Sequence, residues 1–524
     1  MQLPFWKWAW LPAVLLIAGK MDQVGGRNYL DLARTDNRLT RLPFFGGGVG
    51  HLLRYLHPLS LNPSGERGRI SELRSDLDAN YVSYRGAQLW KLNFNATRGS
   101  SMEEREEEHE EEPEERQVVA SPDAQFNEVV ALFGSEVWNI NQDGIDILIE
   151  QRNVADARKF MDKVGFSYNV MIDDIESAID ETYVEVPAAE HPLDSVRNNS
   201  LPWMERPGSL MSWRRYHDHA DIQQFLQTLL ENHSENVEII QIGVTRNKRP
   251  LEVIRVSNGN PDNWAVFVDA GLQARDWLSP AALTYAISKL THLWGRPKGT
   301  GQGQGQGQRQ SRAEKAMRRI DWYFLPMANP DGYQYSRHTD RLWTKNRGYD
   351  SESGCYGVNL DRNFEYGWGG FGSTSNPCKN LYRGAQSFSE PESRALRSFL
   401  SGMREYLGAY VSLSGYGQAI TYPWGDADYV TENQRDLKQT ARRAILALRR
   451  LNQAEYSAGT SYRQKLARPG NSADWVQDRI EPQMVFNMFL KDQGRYGYLL
   501  PPHYIVESGE EVFEFLRTIA QQLQ

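Results

Sequence analysis

The sequence predicts an α/β fold built on a mostly parallel central sheet. Three continuous apolar runs of strand length, at 265–270, 322–328 and 410–416, are typical of strands that are buried on both faces. The segment 279–293 begins with Ser-Pro and reads as a helix, because serine suits the cap position and proline the first turn. Strands that alternate with such helices indicate a parallel sheet, whose functional groups collect at the carboxyl ends of its strands.

The first part of the chain lacks the pattern of a folded domain. The 524 residues are enough for two or three domains. Residues 1–19 place a lysine before an apolar stretch that ends in small residues, which predicts a signal peptide. A buried N-terminal strand is the alternative. Residues 20–82 contain few clustered apolar residues and are predicted to be mostly disordered. No later segment is long and apolar enough to span a membrane.

The charge of the chain is concentrated in one segment. The net charge is −8, and the glutamate-rich run 103–116 accounts for all of it. Since the remainder is close to neutral, nucleic acid is not an expected partner. The run is predicted to be a solvated loop, and a tract that binds cations or basic partners is the alternative.

A flexible loop and several short strands and helices are predicted along the rest of the chain. A Gly/Gln repeat at 299–308 cannot bury apolar surface and is predicted to be a flexible surface loop. Strands are predicted at 88–94, 137–140 and 146–149, and helices at 123–133 and 154–164.

The segment NWAVFVDAGLQARDWLSP, residues 263–280, resembles the first metal-binding segment of the secreted zinc carboxypeptidases of the carboxypeptidase A/B family. In that family, an apolar strand runs into a Gly-His-Ala-Arg-Glu-Trp turn, whose His and Glu bind zinc. The resemblance implies a metallocarboxypeptidase-like domain over 210–524, with a mixed, mostly parallel sheet flanked by helices. Five later segments resemble family segments in the same order, at 329–347, 355–364, 375–399, 409–425 and 489–501.

The resemblance also implies a small α+β antiparallel pro-segment ahead of the main domain. It is expected over residues 83–185, with the acidic run inserted between its first strand and its first helix. A linker over 186–209 is expected to join the two parts, and Arg206 within it is a candidate cleavage point.

The metal-binding positions implied by the resemblance do not carry the family's ligands. Gln273, Asp276 and Ser414 stand where the family has His, Glu and His, so no bound zinc is expected. Three oxygen donors leave a hard cation as an alternative, although one carboxylate is too little charge for tight binding. None of the ten histidines falls at a ligand position, and the H-x-H pair His217 and His219 reads as surface residues.

The positions implied for catalysis are also substituted. Phe489 stands where the family has the glutamate that acts as general base, and phenylalanine cannot carry a proton. Thr344 stands where the family has the arginine that polarises the scissile carbonyl. Leu466 stands at the tyrosine that closes over the substrate, in a loop that is shorter here.

Several positions implied for substrate binding persist. Arg275, Arg341, Arg362 and Tyr416 match family residues that line the cleft, and Arg362 would meet the terminal carboxylate of a peptide. For each arginine, pairing with local carboxylates of the scaffold is the alternative. Two changes bear on specificity: Asp361 replaces an asparagine beside Arg362 and would repel a carboxylate, and Ala473 at the base of the side-chain pocket implies an apolar preference.

Cysteines and sequons indicate an extracellular protein. Cys355 and Cys378 are the only cysteines, and the resemblance implies that they form a disulfide. The sequons at Asn95, Asn198 and Asn232 fit a glycosylated secreted protein.

Two functions follow as hypotheses, and a purely structural or storage role is the remaining alternative. The first is a secreted pseudopeptidase that has no cofactor and serves a binding or regulatory role, with peptides or proteins that have free C-termini as candidate partners. The second is a zinc-dependent metallocarboxypeptidase with residual or altered activity.

Overall fold

The computed structural model describes residues 81–93, 129, 132–141, 144–187, 211–293, 311–426, 428–466 and 468–523. Several predictions therefore fall wholly or almost wholly outside the described residues: the signal peptide 1–19, the extension 20–82, the acidic run 103–116, the helix 123–133, the linker 186–209 and the repeat 299–308.

The first described part of the chain forms a small α+β unit, here called the N-terminal module. Its four strands form an antiparallel sheet in the order β2-β3-β1-β4. Apolar residues on one face of this sheet, including Trp90 and Ile147, pack with Ala157 and Met161 of the first helix. The elements are β1 Gln88–Asn93, β2 Gly134–Ile140, β3 Gly144–Ile149, α1 Gln151–Val164, β4 Tyr168–Ile172 and α2 Ile175–Glu181.

The larger part of the chain, here called the main domain, contains an eight-stranded mixed sheet in the order β11-β10-β12-β9-β7-β8-β6-β5. The pairs β7–β8, β7–β9, β9–β12 and β10–β11 are parallel, and the other three pairs are antiparallel. The predicted mixed, mostly parallel sheet is therefore confirmed. The strands are β5 Val237–Val244, β6 Pro250–Val256, β7 Trp264–Asp269, β8 Ile320–Leu325, β9 Leu407–Ser414, β10 Ala419–Tyr422, β11 Ser457–Thr460 and β12 Met484–Phe489.

Helices cover both faces of this sheet. Alternate residues of β7 point to opposite sides: Val266 and Val268 belong to one apolar core, and Ala265 and Phe267 belong to the other. The run 265–270 is continuously apolar because both of its faces are buried. The helices are α3 His219–Asn232, α4 Leu278–Leu293, α5 Arg312–Met317, α6 Pro330–His338, α7 Pro391–Gly402, α8 Gln434–Asn452, α9 Ser472–Arg479 and α10 Ile505–Gln522. Among the helices of the described ranges, none has the length and hydropathy to cross a membrane.

The N-terminal module packs directly on the main domain. Trp138 and Leu148 of the module are buried in one cluster with Tyr416, Tyr498 and Leu499 of the main domain. Polar contacts reinforce this interface, which therefore combines apolar burial with charged groups.

Asp146 is the most deeply buried of the charged groups at this interface. Its side chain is 1% exposed and accepts a hydrogen bond of 2.7 Å from the Tyr416 hydroxyl. Lys91 Nζ lies 3.7 Å from Asp146 and donates to the Gln493 carbonyl. Burial raises the pKa of Asp146 to about 6, with Lys91 and Tyr416 opposing the rise and Asp492 adding to it.

The predicted disulfide between Cys355 and Cys378 is present. Their Cα atoms lie 5.2 Å apart, and the bridge closes a loop across a sequence separation of 23. Lys345 Nζ donates to the Pro377 carbonyl beside this bridge, so the loop is tied to the segment that carries Thr344.

Removing the disulfide should destabilise the main domain. For the double variant Cys355→Ser, Cys378→Ser, we expect the free energy of unfolding to fall by about 3 kcal/mol, because the unfolded chain regains the entropy of a loop of this length. Denaturant titration followed by fluorescence measures the difference. Thiol titration of the unreduced parent protein provides the control and should find no free thiol.

The buried Asp146 should make stability depend on pH. Because its pKa in the folded protein lies above the ordinary value of 3.8, its stabilising contribution is largest below about pH 4 and is lost as the pH rises through about 6. The difference in free energy of unfolding between the parent protein and Asp146→Asn should shift by on the order of 2 kcal/mol, in favour of the parent, from pH 7 to pH 4. A pH-independent difference would contradict this assignment.

Candidate functional site

The sequence-predicted site residues converge at the carboxyl ends of three central strands. Ser414 and Phe489 are the last residues of β9 and β12, which are parallel and place these two residues side by side in register. Gln273 and Asp276 lie in the turn between β7 and α4. The structure thus places four residues at one edge of the sheet, as expected for residues at the carboxyl ends of parallel strands: Gln273, Asp276, Ser414 and Phe489.

Asp276 acts as a hydrogen-bond acceptor for the backbone. Its carboxylate accepts from the Ser279 amide at 3.1 Å, from the Ser279 hydroxyl at 2.7 Å and from the Gly415 amide at 2.6 Å. Sequence reasoning gave Ser279 the capping role at the start of α4. In the structure, Ser279 is inside the helix and Asp276 accepts the hydrogen bonds of its first turn.

Gly415 allows this close approach to Asp276. A Cβ atom added at Gly415 would lie 3.0 Å from Asp276 Oδ1, which is tighter than ordinary contacts. Burial raises the pKa of Asp276, and the hydrogen bonds from Gly415 and Ser279 oppose the rise, as does the positive charge of Arg468. The carboxylate is therefore fully engaged within the protein.

The other two implied ligand positions are also engaged. Gln273 is buried, and its side-chain oxygen accepts a hydrogen bond of 3.0 Å from the Tyr498 hydroxyl. The Ser414 hydroxyl donates to the Gly415 carbonyl at 3.0 Å and accepts from Arg468 Nη1 at 3.1 Å. Both side chains contribute neutral oxygens that already have partners.

Arg468 brings a positive charge into this site, and sequence reasoning did not identify it. Its Nη1 atom lies 2.7 Å from Asp361 Oδ2 and 3.1 Å from the Ser414 hydroxyl. Its guanidinium carbon lies 4.6 Å from the ring centroid of Phe489, and its side chain is 15% exposed. A fixed guanidinium thus contacts one of the three implied ligand positions and the implied base position.

The implied base position has become part of an apolar cluster. Phe489 is 1% exposed and packs with Leu466 and Ala419. Two positions with expected catalytic roles, Phe489 and Leu466, therefore contact each other as core residues. Thr344 is buried, and its carbonyl accepts a hydrogen bond of 3.0 Å from the Ala274 amide.

Two of the implied substrate-binding residues contact the N-terminal module. Arg275 is buried, forms an ion pair with Glu136 of β2, and its guanidinium carbon lies 4.1 Å from the ring centroid of Tyr498. Tyr416 donates to Asp146 of β3. Burial raises the pKa of Glu136, and the charge of Arg275 opposes the rise. The module thus supplies a carboxylate to each of these two side chains.

The remaining implied substrate-binding residues contact the main domain itself. Arg341 is 1% exposed, donates to the carbonyls of Arg275 and Tyr498 at 2.7 Å each, and stacks on Trp277 at 3.6 Å. Such contacts fit a scaffold role for Arg341.

Arg362 and Ala473 are also enclosed. Arg362 donates to the Gly372 carbonyl at 3.2 Å and to the Asp361 carbonyl at 2.8 Å, and its Nη1 lies 3.5 Å from the Asp361 carboxylate. Asp361 therefore holds two guanidiniums, those of Arg362 and Arg468. Ala473 is fully buried in an apolar core with Phe364.

The interpretation of His217 and His219 as surface residues is wrong. Both are buried, at 5% and 6% exposure. His217 Nδ1 lies 3.1 Å from Asp221 Oδ2, and its Nε2 lies 2.6 Å from the Ser212 carbonyl. Burial lowers the pKa of His219 to about 4. The pair belongs to the packing around α3, which sequence spacing alone does not reveal.

The donors at the implied metal positions do not suit zinc. Zinc in proteins binds imidazole, thiolate or carboxylate, whereas this site offers an amide, a hydroxyl and one carboxylate that accepts three hydrogen bonds. The guanidinium of Arg468 adds a positive charge that would repel a cation. Within the described ranges, no three His, Cys, Asp or Glu side chains converge to hold a metal.

Comparisons with known proteins agree with this fold. A sequence profile described as "Zinc carboxypeptidase" matches residues 222–515. Zinc carboxypeptidase A 1 of Anopheles gambiae is 28% identical over 384 residues, 72% of this chain and 81% of that protein. Carboxypeptidase B of Astacus astacus is 29% identical over 311 residues, 59% of this chain and 97% of that protein.

A solved structure extends the likeness to most of the chain. The crystal structure of thrombin-activatable fibrinolysis inhibitor superimposes with a TM-score of 0.67 at 24% identity, covering 84% of this chain and 99% of that one. At this identity, the likeness concerns the fold alone. Since the family profile matches more than half of the sequence and the sheet has the expected topology, the chain belongs to the zinc carboxypeptidase family.

Proposed function

We propose that this family member is an extracellular pseudopeptidase with a binding or regulatory role. One observation carries the proposal: Arg468 lies against Ser414 and Phe489, two positions where the family resemblance implies a zinc ligand and the general base. A metal ion bound at these positions would lie close to the Arg468 guanidinium, and the two positive charges would repel each other strongly.

The surroundings of Arg468 support the same proposal. Hydrolysis in the family requires a base to deprotonate water and a cation to stabilise the developing oxyanion. Phe489 cannot accept a proton, and Thr344 cannot supply a positive charge. Zinc, when present in a family member, activates the water and polarises the carbonyl. In this chain, no side chain among those at the implied positions performs either task.

A peptide ligand with a free C-terminus remains a candidate partner. Its carboxylate would have to displace the contacts that Arg362 makes with Gly372 and Asp361, and the negative charge of Asp361 would oppose it. The charge of Arg468 reduces that opposition, because it pairs with Asp361 at 2.7 Å. We therefore propose that such binding is weak and that the regulatory contacts of the protein lie mainly on its outer surface.

The purified protein should not retain zinc. After dialysis against trace zinc, elemental analysis should find far less than one equivalent, because Gln273 and Ser414 replace two imidazoles and Asp276 is held by the backbone. One equivalent of zinc together with release of C-terminal residues from peptides would favour the residual carboxypeptidase instead.

Restoring the ligands alone should give a poor metal site. In the triple variant Gln273→His, Asp276→Glu, Ser414→His, the positive charge of Arg468 remains beside the metal. Adding Arg468→Ala should increase zinc affinity roughly tenfold or more, measured by competition with a chromogenic chelator. Neither variant should hydrolyse peptides, because Phe489 provides no base.

The matched control for this experiment is Arg463→Ala in the triple variant. Arg463 is exposed and pairs with Asp428 at 2.7 Å, so its loss removes the same charge from a solvent-facing ion pair. Equal zinc affinities with and without Arg468 would refute its assigned role. Hydrolysis by the triple variant would show that the base has been misassigned.

A further inference from the structure

Helix α8, Gln434–Asn452, presents a strongly basic surface to solvent. Its single acidic residue is Asp436, in the first turn. The overall charge of −8 conceals this local excess of positive charge. Six exposed cationic side chains make up the basic face: Arg435, Lys438, Arg442, Arg443, Arg449 and Arg450.

The basic face has a regular spacing. Arg442 and Arg443 are repeated seven residues later as Arg449 and Arg450. Seven residues make almost two helical turns, so the two pairs project from the same side of α8 about 10 Å apart. Arg435 and Lys438 continue the line toward the start of the helix, and the whole face extends over about 22 Å.

The charges of this face have no partner of opposite sign in the part of the chain that the structure describes. None of the six side chains forms an ion pair there, and Arg443 donates only to the neutral Gln522 side chain. The nearby carboxylates of α10 are engaged elsewhere: Glu511, for example, pairs with Lys491 at 2.7 Å. Six like charges on one helix repel one another, which is a cost that an anionic ligand would relieve.

The opposite side of α8 is already buried. Leu437, Ala441, Ala444 and Leu448 lie in the same apolar core as α10 and the sheet. A helix that binds a membrane surface inserts its apolar face into the lipid, and α8 has no such face to offer. Two apolar side chains of α8 are exposed, Leu446 at 51% and Leu451 at 42%, and their spacing of five residues places them on different sides of the helix. The surface therefore fits a soluble anion.

We propose that the basic face of α8 binds a linear sulfated polysaccharide. Guanidinium groups pair with the oxygens of sulfate and carboxylate groups in a planar, two-point geometry, and clusters of arginine and lysine are typical of patches that bind such polymers. The repeated arginine pairs match a polymer that presents anionic groups at regular intervals. The disulfide indicates an oxidising compartment, where sulfated polysaccharides are available and nucleic acids are not typical partners. Binding at this face does not depend on the loss of peptidase activity.

The test uses a size-defined sulfated octasaccharide and the full-length protein. At 150 mM NaCl, calorimetry should show binding that weakens steeply as salt is raised, because exposed charges are screened and counterions are released. A fourfold variant should bind on the order of 30-fold more weakly, because each lost arginine contact contributes a fraction of a kcal/mol to binding. Its substitutions are Arg442→Gln, Arg443→Gln, Arg449→Gln and Arg450→Gln.

A control variant removes the same charge from other surfaces. Lys163, Lys248, Lys315 and Arg319 are all exposed and lie outside α8, so changing these four to Gln should leave the affinity within about threefold of the parent. Thermal unfolding of both variants checks that they fold. An equal loss of affinity in both variants, or no loss in the α8 variant, would overturn the proposal.

Two further probes distinguish the class of ligand. A polyglutamate peptide and a single-stranded oligonucleotide of matched charge should bind more weakly than the octasaccharide at the same salt concentration. Vesicles that contain phosphatidylserine should not sediment the protein. Equal binding of all three soluble anions, or retention on vesicles that depends on the four α8 arginines, would overturn the assignment to a sulfated polysaccharide.

Discussion

Charge that is buried in a protein has to be neutralised where it lies, and this requirement organises the carboxyl edge of the central sheet. Asp276 and Asp361 are both buried at that edge. Backbone and hydroxyl donors satisfy the first, and Arg468 satisfies the second while it reaches Ser414. Arg468 thus places a positive charge at the edge where the family resemblance implies a metal ion. Because this cation is part of the chain, its contacts with Asp361, Ser414 and Phe489 require no bound metal.

The same requirement joins the N-terminal module to the main domain. Arg275 is buried and has its carboxylate partner, Glu136, on the other side of the interface. Removing either partner would leave an unpaired buried charge, which is far more costly than the loss of a surface ion pair. The aromatic rings of Trp138 and Tyr498 pack around this pair and exclude water from it. The interface is therefore specified by charge as well as by apolar area.

The architecture could be predicted from the sequence because the patterns that indicate strands and helices are local. Continuous apolar runs predict the strands β7, β8 and β9, and the strand-end rule places Gln273 and Ser414 in one region. Arg468 was missed because its partners Asp361, Ser414 and Phe489 lie far apart in the sequence and meet only in the folded chain. The one signal in the sequence was Asp361, because a carboxylate where the family has an asparagine needs an additional positive charge nearby. His217 and His219 were misjudged for a related reason: their burial is decided by the packing of α3, and no spacing in the sequence expresses it.

The contacts of Asp276 oppose its replacement by the glutamate that the family resemblance implies at this position. Lengthening this side chain to glutamate would move its carboxylate out of reach of Ser279 and crowd Gly415, where even a methyl group is a tight fit. Such a variant would lose the first-turn hydrogen bonds of α4 before any imidazole was present to share a metal. A change at Asp276 toward the family's glutamate therefore costs stability before it can contribute to metal binding.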